Sequence, residues 1–497
     1  MSVSLVENEF KRALEAILMR VFSREKTEKP EGLLKVDYPD SSAMAIAFSG
    51  GLDSTVLLSL AHRYASEKKI PLFAFHVHHG LNPQADAWVR HGEEVCRKLG
   101  VPFQACHVQV DRQSRAGTEA DARLKRYAAL GDLCRRQNVS LLLTAHHEDD
   151  QIETILMQLM RGTGIAGLSG MAAVSYPSDL LGNEAVALGR PLLSFSRETL
   201  SAWAGVNGIR YVEDDSNRDV RYTRNAVRHR LIPILAELFP GFSKRVTRTA
   251  SHLRSAQGVL DERAREDLAA CRVAHNVMDI RKAGMLNPDR KANLFRYWLL
   301  ENGIPIPSST WFDEAVKQIL TSKQDAQISL PVNGHQVKRY RQWACIFKGR
   351  ENRPEPDSFF CFHWQGEKTV QLAAWGGRLL FDESEEGFDA AWLKEQPLKI
   401  GPYRGSVGLK LTGRPTKKLK TLCQEAAIPP WERLFLPLLY AKDELIFVGS
   451  VGSDARHVKK SGKAVRIRWK PAAGLYFGPP FPEFPLLNSD LNGKVKS

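Results

Sequence analysis

The chain contains no Cys-x-x-Cys pair. Its seven cysteines, Cys96, Cys106, Cys134, Cys271, Cys345, Cys361 and Cys423, are odd in number and scattered. That pattern argues against both a disulfide framework and a structural zinc or redox site, and fits a reducing cytosol. Also missing is any apolar run approaching the roughly 18 residues of a membrane span. The N-terminus, MSVSLVENEFKRALEAILMRVFSREK, mixes acids and bases through its apolar positions. It reads as a short amphipathic helix rather than a signal peptide, so a cytoplasmic protein with no membrane partner is expected. There is no low-complexity tract and no internal repeat. Acidic charge is in deficit, with 56 Asp and Glu against 70 Lys and Arg, a net charge of +14. The excess favours a polyanionic partner through phosphate neutralisation, although an ordinary soluble basic protein would show the same balance.

What is present points to several cores. A length of 497 residues suggests about three domains, and 43% hydrophobic with 25% charged residues is a globular balance. From residue 44 apolar runs alternate with helical spacing: AMAIAF, LFAFHVHH (72–79), PFQACHVQV (102–110) and SLLLTAHH (140–147) are separated by segments such as ADAWVRHGEEVCRKLG. Strands apolar on both faces and joined by helices imply a buried parallel sheet. The expected architecture is α/β: a doubly wound, Rossmann-like parallel sheet over 1–240, with an N-terminal extension to about residue 40 that receives no role. A mainly helical domain over 241–350 follows, led by one long helix in SKRVTRTASHLRSAQGVLDERAREDLAACRV and closed by a hairpin at Asn333-Gly334. RENRPEPDS (350–358) reads as a linker within a last segment, 351–497, that holds a small α+β domain with short strands such as GRLLF and VRIRW.

Ligand sites in such sheets lie beyond the carboxyl ends of the strands, and three polar stretches fall there. The first is SGGLDS (49–54). A strand ending at Phe48, a Ser-Gly-Gly turn and a helix starting near Ser54 would aim backbone N–H groups and a helix dipole into one concavity suited to phosphate. No lysine follows, so this is not the Gly-x-x-x-x-Gly-Lys loop. Asp53 would repel phosphate unless a divalent cation lay between them, which reads it as a Mg²⁺ ligand. A tight turn with Asp53 as helix cap would use the same residues.

The second stretch crowds His146, His147, Glu148, Asp149, Asp150 and Glu153 at a strand end and the next helix's first turn. Asp150 and Glu153 share a face and suit a second metal ligand and an ammonium site, while a dipole-favoured acidic first turn is the plainer account. The two histidines read more readily as strand-end packing. The third, EDDSNRDVRYTRNAVRHRLIP (213–233), carries Arg218, Arg221, Arg224, Arg228 and Arg230. Their guanidinium forks match phosphate, with Arg224 and Arg228 one helical turn apart; pairing with Glu213, Asp214 and Asp215 is the alternative.

SGGLDS after a first strand resembles the PP-loop of the N-type ATP pyrophosphatases. With HHEDDQIET, RGTGIAGLSGM, EDDSNRDVRYTRNAVRH, HHGLNPQAD (78–86) and EADARLKRY (119–127) alongside it, the chain resembles the tRNA(Ile)-lysidine synthetase family over most of 44–235. LKTLCQEAAIPPWERLFLPLLYAKDELIFVG (419–449) resembles that family's C-terminal domain. The resemblance implies an enzyme that uses ATP and Mg²⁺ to adenylate the oxygen on C2 of the wobble cytidine in a CAU-anticodon tRNA(Ile). Free lysine then displaces AMP, and the codon read changes from AUG to AUA. It implies ATP binding by Ser49, Gly50, Gly51, Leu52, Asp53, Ser54, Arg123 and His146, and metal binding by Asp53 and Asp150. It further implies an arginine clamp of Arg224 and Arg228, with Asn225 and His229 at matching positions of undefined task. Glu153 is expected to contact the lysine and Asp150 to act as base, and these two roles are exchangeable. Lys417, Lys418 and Lys420 would grip tRNA phosphates, unless they are simply solvated surface. The oligomeric state stays open, a homodimer being one option. A tRNA thiolase is disfavoured by the lack of Cys-x-x-Cys, and an amidotransferase by Ser2 following Met1. A non-catalytic RNA-binding protein is disfavoured by the intact Asp53 and its acidic neighbours.

Overall fold

The computed structural model describes residues 2–25, 43–80, 82–110, 118–214, 219–274, 276–323, 328–348, 358–459 and 462–471. Arg218, Asp215 and nearly all of the expected linker lie outside them. The chain divides into two compact units, Met1–Leu260 and Asp261–Ser497.

The first unit is built on a six-stranded sheet of order β3-β2-β1-β4-β6-β5. Its elements are α1 (Val3–Glu25), β1 (Ala43–Ala47), α2 (Leu52–Lys68), β2 (Leu72–His78), α3 (Ala85–Leu99), β3 (Phe103–His107), α4 (Thr118–Arg136) and β4 (Val139–Leu143). They continue through α5 (Glu148–Met160), α6 (Ile165–Leu168), β5 (Val174–Ser175), α7 (Ser178–Leu181), β6 (Ala187–Gly189) and α8 (Arg197–Val206). All pairings except the short β5 edge are parallel. The four expected strands are therefore present, ending earlier than expected, with β4 beginning one residue sooner at Val139. Continuous apolar strands work here because both faces are covered: Met44 and Ile46 of β1 point into a core with α1, α2 and α8, whereas Ala43 and Ala45 face α4. Since β1 is followed by β2 on one side and flanked by β4 on the other, the chain reverses direction of build between β1 and β4. The turns leaving those two strands open onto the same crevice.

α1 belongs to this core. Val6, Phe10, Leu14, Ile17, Leu18 and Val21 recur at helical spacing and are buried against the sheet. The segment to which sequence reading gave no role is thus a wall of the first unit. After α8 come α9 (Thr223–Ala226), a π turn over Val227–Leu231, α10 (Ile232–Leu238) and the long α11 (Phe242–Cys271), which crosses the boundary between the units.

In the second unit, β7 (Arg272–Ala274), β8 (Val277–Asp279), α12 (Ile280–Gly284), α13 (Pro288–Glu301), α14 (Ser309–Thr321), β9 (Ile328–Val332), β10 (His335–Tyr340) and β11 (Trp343–Lys348) form one body. Its helices pack on a five-stranded sheet of order β7-β8-β11-β10-β9. Only the hairpin of this sheet was legible beforehand; Asn333 (φ 44°) and Gly334 (φ 72°) make its turn as expected. The remaining strands are β12 (Phe360–Phe362), β13 (Thr369–Leu372), β14 (Gly377–Ser384), β15 (Gly387–Asp389), β16 (Leu398–Gly401), β17 (Gly408–Leu409), β18 (Lys417–Lys418), β19 (Leu438–Ala441), β20 (Glu444–Val448), β21 (Gly452–Ser453), β22 (Val458–Lys459) and β23 (Ala464–Pro471). With α15 (Ala390–Glu395), α16 (Leu419–Glu425) and α17 (Pro430–Arg433) they make the small α+β body. Trp431 of α17 meets Tyr340 and Phe347 edge-on at 6.0 and 5.8 Å, with the Lys338 ammonium 5.1 Å above its ring, so an aromatic seam joins the two bodies.

The burial of α1 makes a quantitative prediction. Leu14→Ala, at a fully buried site, lowers the unfolding free energy of the protein by about 2–5 kcal/mol. Leu5→Ala, at a half-exposed site of the same helix, costs less than about 1 kcal/mol; urea titration followed by circular dichroism measures both.

Candidate active site

The turn after β1 is held by its own hydroxyls. Ser49 Oγ lies 3.0 Å from Ser54 Oγ, the Ser54 hydroxyl donates to Gly51 O at 3.0 Å, and the Thr55 hydroxyl donates to Gly51 O at 2.9 Å. Gly50 has φ +84° and its carbonyl accepts from Val212 N–H at 3.0 Å, while a Cβ there would press within 3.3 Å of Val212 Cγ2. Glycine is required at this position by both conformation and space. α2 starts at Leu52, two residues earlier than expected, with Gly51 as its N-cap. Asp53 consequently stands in the first turn rather than before it, where the unpaired N–H groups and the dipole of α2 gather.

The acids at the start of α5 separate into two sets. Glu148 Oε1 accepts from the Thr247 hydroxyl at 3.1 Å and Asp149 Oδ2 from Arg197 N–H at 2.8 Å, so these two fasten α5 to α11 and α8. Asp150 and Glu153 turn instead to the arginines. Arg224 reaches Glu153 Oε2 at 2.6 Å and Asp150 Oδ1 at 2.9 Å; Arg228 reaches Glu153 Oε1 at 2.5 Å and Asp150 Oδ1 at 3.3 Å. Glu153 is fully buried, and both of its oxygens are taken by guanidinium groups. Arg221 is paired elsewhere, with Asp219 at 2.7 Å.

His147 occupies the centre. It is buried, and its Nε2 lies 3.6 Å from Asp53 Oδ2 and 3.4 Å from Asp150 Oδ2, while its Nδ1 lies 3.3 Å from Asp149 Oδ2. Burial alone would lower its pKa, but the three carboxylates outweigh that and push it up to about 10. His147 is a cation that joins the PP-loop side of the crevice to the α5 side. Its neighbour His146 is driven the opposite way: burial, with Arg190, Arg224 and Arg123 nearby, holds it below the ordinary imidazole range despite Asp150. Thr144 Oγ1 contacts its Nδ1 at 2.9 Å. Hydrogen bonding to His147 and the backbone of Arg197 carries Asp149 down to about 2 against its own burial. Asp150 also lies below the usual carboxylate range: burial raises it, and His147 and Arg224 more than compensate.

Asp53 Oδ1 is buried and has no partner. Two carboxylates at neighbouring strand ends, one with an unclaimed oxygen, suit Mg²⁺, which takes one or two protein carboxylates and completes its shell with water and substrate phosphate. Among the described residues no group of three or more His, Cys, Asp and Glu makes a self-contained cage, so the substrate's oxygens would be needed to complete such a site.

The loop after α5 is pinned beside this network. Gln151 exchanges two hydrogen bonds with the Met171 backbone, at 2.7 and 2.6 Å, and Arg254 donates to Ser169 O at 2.7 Å. Gly170, at φ +68°, leaves the space that a Cβ would take 2.5 Å from Gln151 Oε1. This accounts for the GLSGM run as packing around Gln151.

Of the other expected residues, Arg123 lies on α4 with its guanidinium 4.9 Å from the Tyr127 ring centre. Asn225 donates to Asp219 O at 3.0 Å, and His229 is exposed. Lys417 pairs with Glu425 at 2.5 Å, whereas Lys418 and Lys420 are exposed. From sequence His147 reads as packing; the one available signal is its place just before a helix whose third residue is an acid.

With this geometry in hand, the similarities to known proteins are specific. Residues 23–235 match a PP-loop domain, 280–345 a TilS substrate binding domain and 398–469 a TilS substrate C-terminal domain. The tRNA(Ile)-lysidine synthase of Burkholderia pseudomallei is 36% identical, the match covering 87% of this chain and 94% of that protein. The protein of the same name from Ralstonia nicotianae is 38% identical, over 87% and 93% respectively. No described helix is long and apolar enough to cross a membrane. A PP-loop crevice, two substrate-type domains later in the chain and relatives matched almost end to end leave one conclusion: the chain is an enzyme of the tRNA(Ile)-lysidine synthase family.

Proposed function

We propose that the protein forms lysidine at the wobble cytidine of CAU-anticodon tRNA(Ile), using ATP and free lysine through an adenylated tRNA. The observation that carries this reading is the network joining Asp53, His147, Asp150, Glu153, Arg224 and Arg228 at two adjacent strand ends. The chemical problem is that C2 of cytosine holds its oxygen as a carbonyl, and oxide cannot leave. In the first step that oxygen attacks the α-phosphorus of ATP, the bond to the β-phosphate breaks and pyrophosphate departs. In the second, the lysine ε-amine attacks C2 and AMP leaves with the oxygen.

Ser49, Gly50, Gly51, Leu52 and Ser54 cradle the phosphates with backbone N–H and hydroxyl donors. Asp53 and Asp150 would hold Mg²⁺, which when bound would neutralise charge on the attacked phosphate. Arg224 and Arg228 meet the charge of the departing pyrophosphate, while Arg123 and His146 line the nucleotide's place. The lysine amine has an ordinary pKa of about 10.4 and must shed a proton before it attacks. Asp150 is the acid assigned to receive it. Because Glu153 is fully buried between the two guanidiniums, we assign that residue to aiming them instead of contacting lysine. We assign the domains over 241–350 and 351–497 to the tRNA body, with the exposed Lys418 and Lys420 meeting phosphates.

Two measurements test this reading. Purified protein with Mg²⁺, ATP, labelled lysine and unmodified tRNA(Ile) should release pyrophosphate and label the RNA, and should do neither with methionine tRNA. Asp53→Ala should lower both rates by about 100-fold or more. Pyrophosphate release without lysine incorporation would retain adenylation but sink the assignment of the nucleophile. Separately, Glu153→Gln leaves two guanidiniums without their buried counter-ion and should cost about 3–5 kcal/mol of folding stability by urea titration. Adding Arg228→Met to it should recover part of that loss.

A further inference from the structure

Both oxygens of Asp150 are already engaged by protein donors. Oδ1 accepts from Arg224 Nη2 at 2.9 Å and from Arg228 Nη2 at 3.3 Å. Oδ2 accepts from the His147 backbone N–H at 3.1 Å and lies 3.4 Å from that residue's ring Nε2. A carboxylate offers about four lone-pair sites, so these contacts occupy the group and surround it with positive charge. Asp53 is the contrast. Its Oδ1 is buried with no partner, and its Oδ2 lies 3.6 Å from His147 Nε2.

The two arginines hold Glu153 and Asp150 in different ways. Each presents Nε to Glu153, at 2.6 Å from Arg224 and 2.5 Å from Arg228, and reaches Asp150 with Nη2. Arg228 Nη2 is also 3.1 Å from Glu153 Oε2, so its link to Asp150 is both the longer of the two and a shared one. Glu153 is fully buried, whereas the Arg224 and Arg228 side chains stay 29% and 25% exposed. The Nε edges are therefore fixed on a buried charge that needs them. The partly exposed remainder of each guanidinium is free to take a phosphate in place of Asp150.

A divalent cation on Asp150 and two guanidiniums on Asp150 exclude one another, since they need the same lone pairs and carry the same sign of charge. Phosphate resolves the conflict, because the guanidinium fork matches its oxygens as it matches a carboxylate. Resting on the reading of Asp53 and Asp150 as the metal's carboxylates, we propose that Arg224 and Arg228 form a latch on Asp150 that the phosphates of ATP release. Each guanidinium pivots about Glu153, exchanges Asp150 for a phosphate oxygen and frees that carboxylate for Mg²⁺. Arg224 is the principal bolt, because its contact with Asp150 is the shorter one and is not shared. Without nucleotide, Asp53 alone of the two acids offers an oxygen to a divalent cation. Metal and nucleotide therefore enter together, and by reciprocity the metal strengthens nucleotide binding through Asp150.

The test reads Mn²⁺, as a probe of the divalent site, by electron paramagnetic resonance on the full-length protein without nucleotide. Arg224→Lys keeps the charge, but one ammonium cannot serve Glu153 and Asp150 together as the planar fork does. It should tighten Mn²⁺ binding by about 5-fold or more, the lower end of typical coupling between sites, and adding Asp150→Asn should abolish the gain. Unchanged Mn²⁺ binding in Arg224→Lys, or a gain that survives Asp150→Asn, would overturn the proposal. A second arm does without the Arg224 variant. A fluorescent, non-hydrolysable ATP analogue is titrated with Mg²⁺ and again with EDTA, and the ratio of the two affinities is the metal's contribution. Asp150→Asn should cut that ratio by about 5-fold or more without weakening binding in EDTA, because the released guanidiniums still meet the phosphates. An unchanged ratio, or weaker binding in EDTA, would end the proposal. Neither arm contains tRNA or lysine, so a failure to form lysidine would leave the latch standing, and loss of the latch would leave the lysidine reading intact.

Discussion

The buried carboxylate of Glu153, clasped by Arg224 and Arg228, is the constraint around which the catalytic unit is arranged. Removing three charges from water is costly, and such a cluster rarely repays its desolvation as stability. Its effect is positional. Glu153 sits on α5 just past Asp150, and the two arginines arrive from a segment some 70 residues later, so this contact fixes where that segment lies over the strand ends. His147 extends the same network to Asp53 on α2. Three separate stretches of chain thereby converge on one crevice through alternating charges.

Support for that network comes from groups that also tie α5 to its neighbours. Glu148 and Asp149 anchor α5 at its start, through Thr247 and the backbone of Arg197. Gln151 grips the Met171 backbone, and Gly170 makes room for it. Together these fix the rotation of α5 about its axis, and rotation decides which carboxylates face the arginines. A shift of one residue in the helix would turn Asp149 inward and Asp150 out, while leaving the composition of the site unchanged.

The strands and the SGGLDS turn were legible because they rest on local signals: continuous apolar runs, a Gly-Gly pair and polar residues at a strand end. The helical middle and α+β tail were legible in outline for the same reason. Three things were hidden. The acids of HHEDDQIET look alike in sequence, and only helix rotation and the distant partners Thr247 and Arg197 distinguish the anchors from the members of the network. His147 reads as packing until Asp53, almost a hundred residues earlier, is brought within 3.6 Å. The strands β7 and β8 are three residues each, too short for periodicity to reveal, and they form because β11 offers them an edge.

The segment that carries the arginines shows how charge and packing share the work. α9 and the π turn after it contain no buried residue, so little of their surface is held by a core of their own. Val227, Leu231, Ile232 and Leu235 rest partly buried on Ile152, Leu156 and Phe242, and Glu153 lies between Ile152 and Leu156 on α5. The apolar footing and the ion pairs therefore fall on the same side of that helix. Apolar contact is indifferent to small sliding, whereas a carboxylate gripped by two guanidiniums is not. The first keeps the segment on α5 and the second fixes its register. A π turn widens the backbone where Arg228 leaves it, a local irregularity that recurs where side chains must be aimed. The register of these arginines is thus set by Glu153 more than by the secondary structure that carries them.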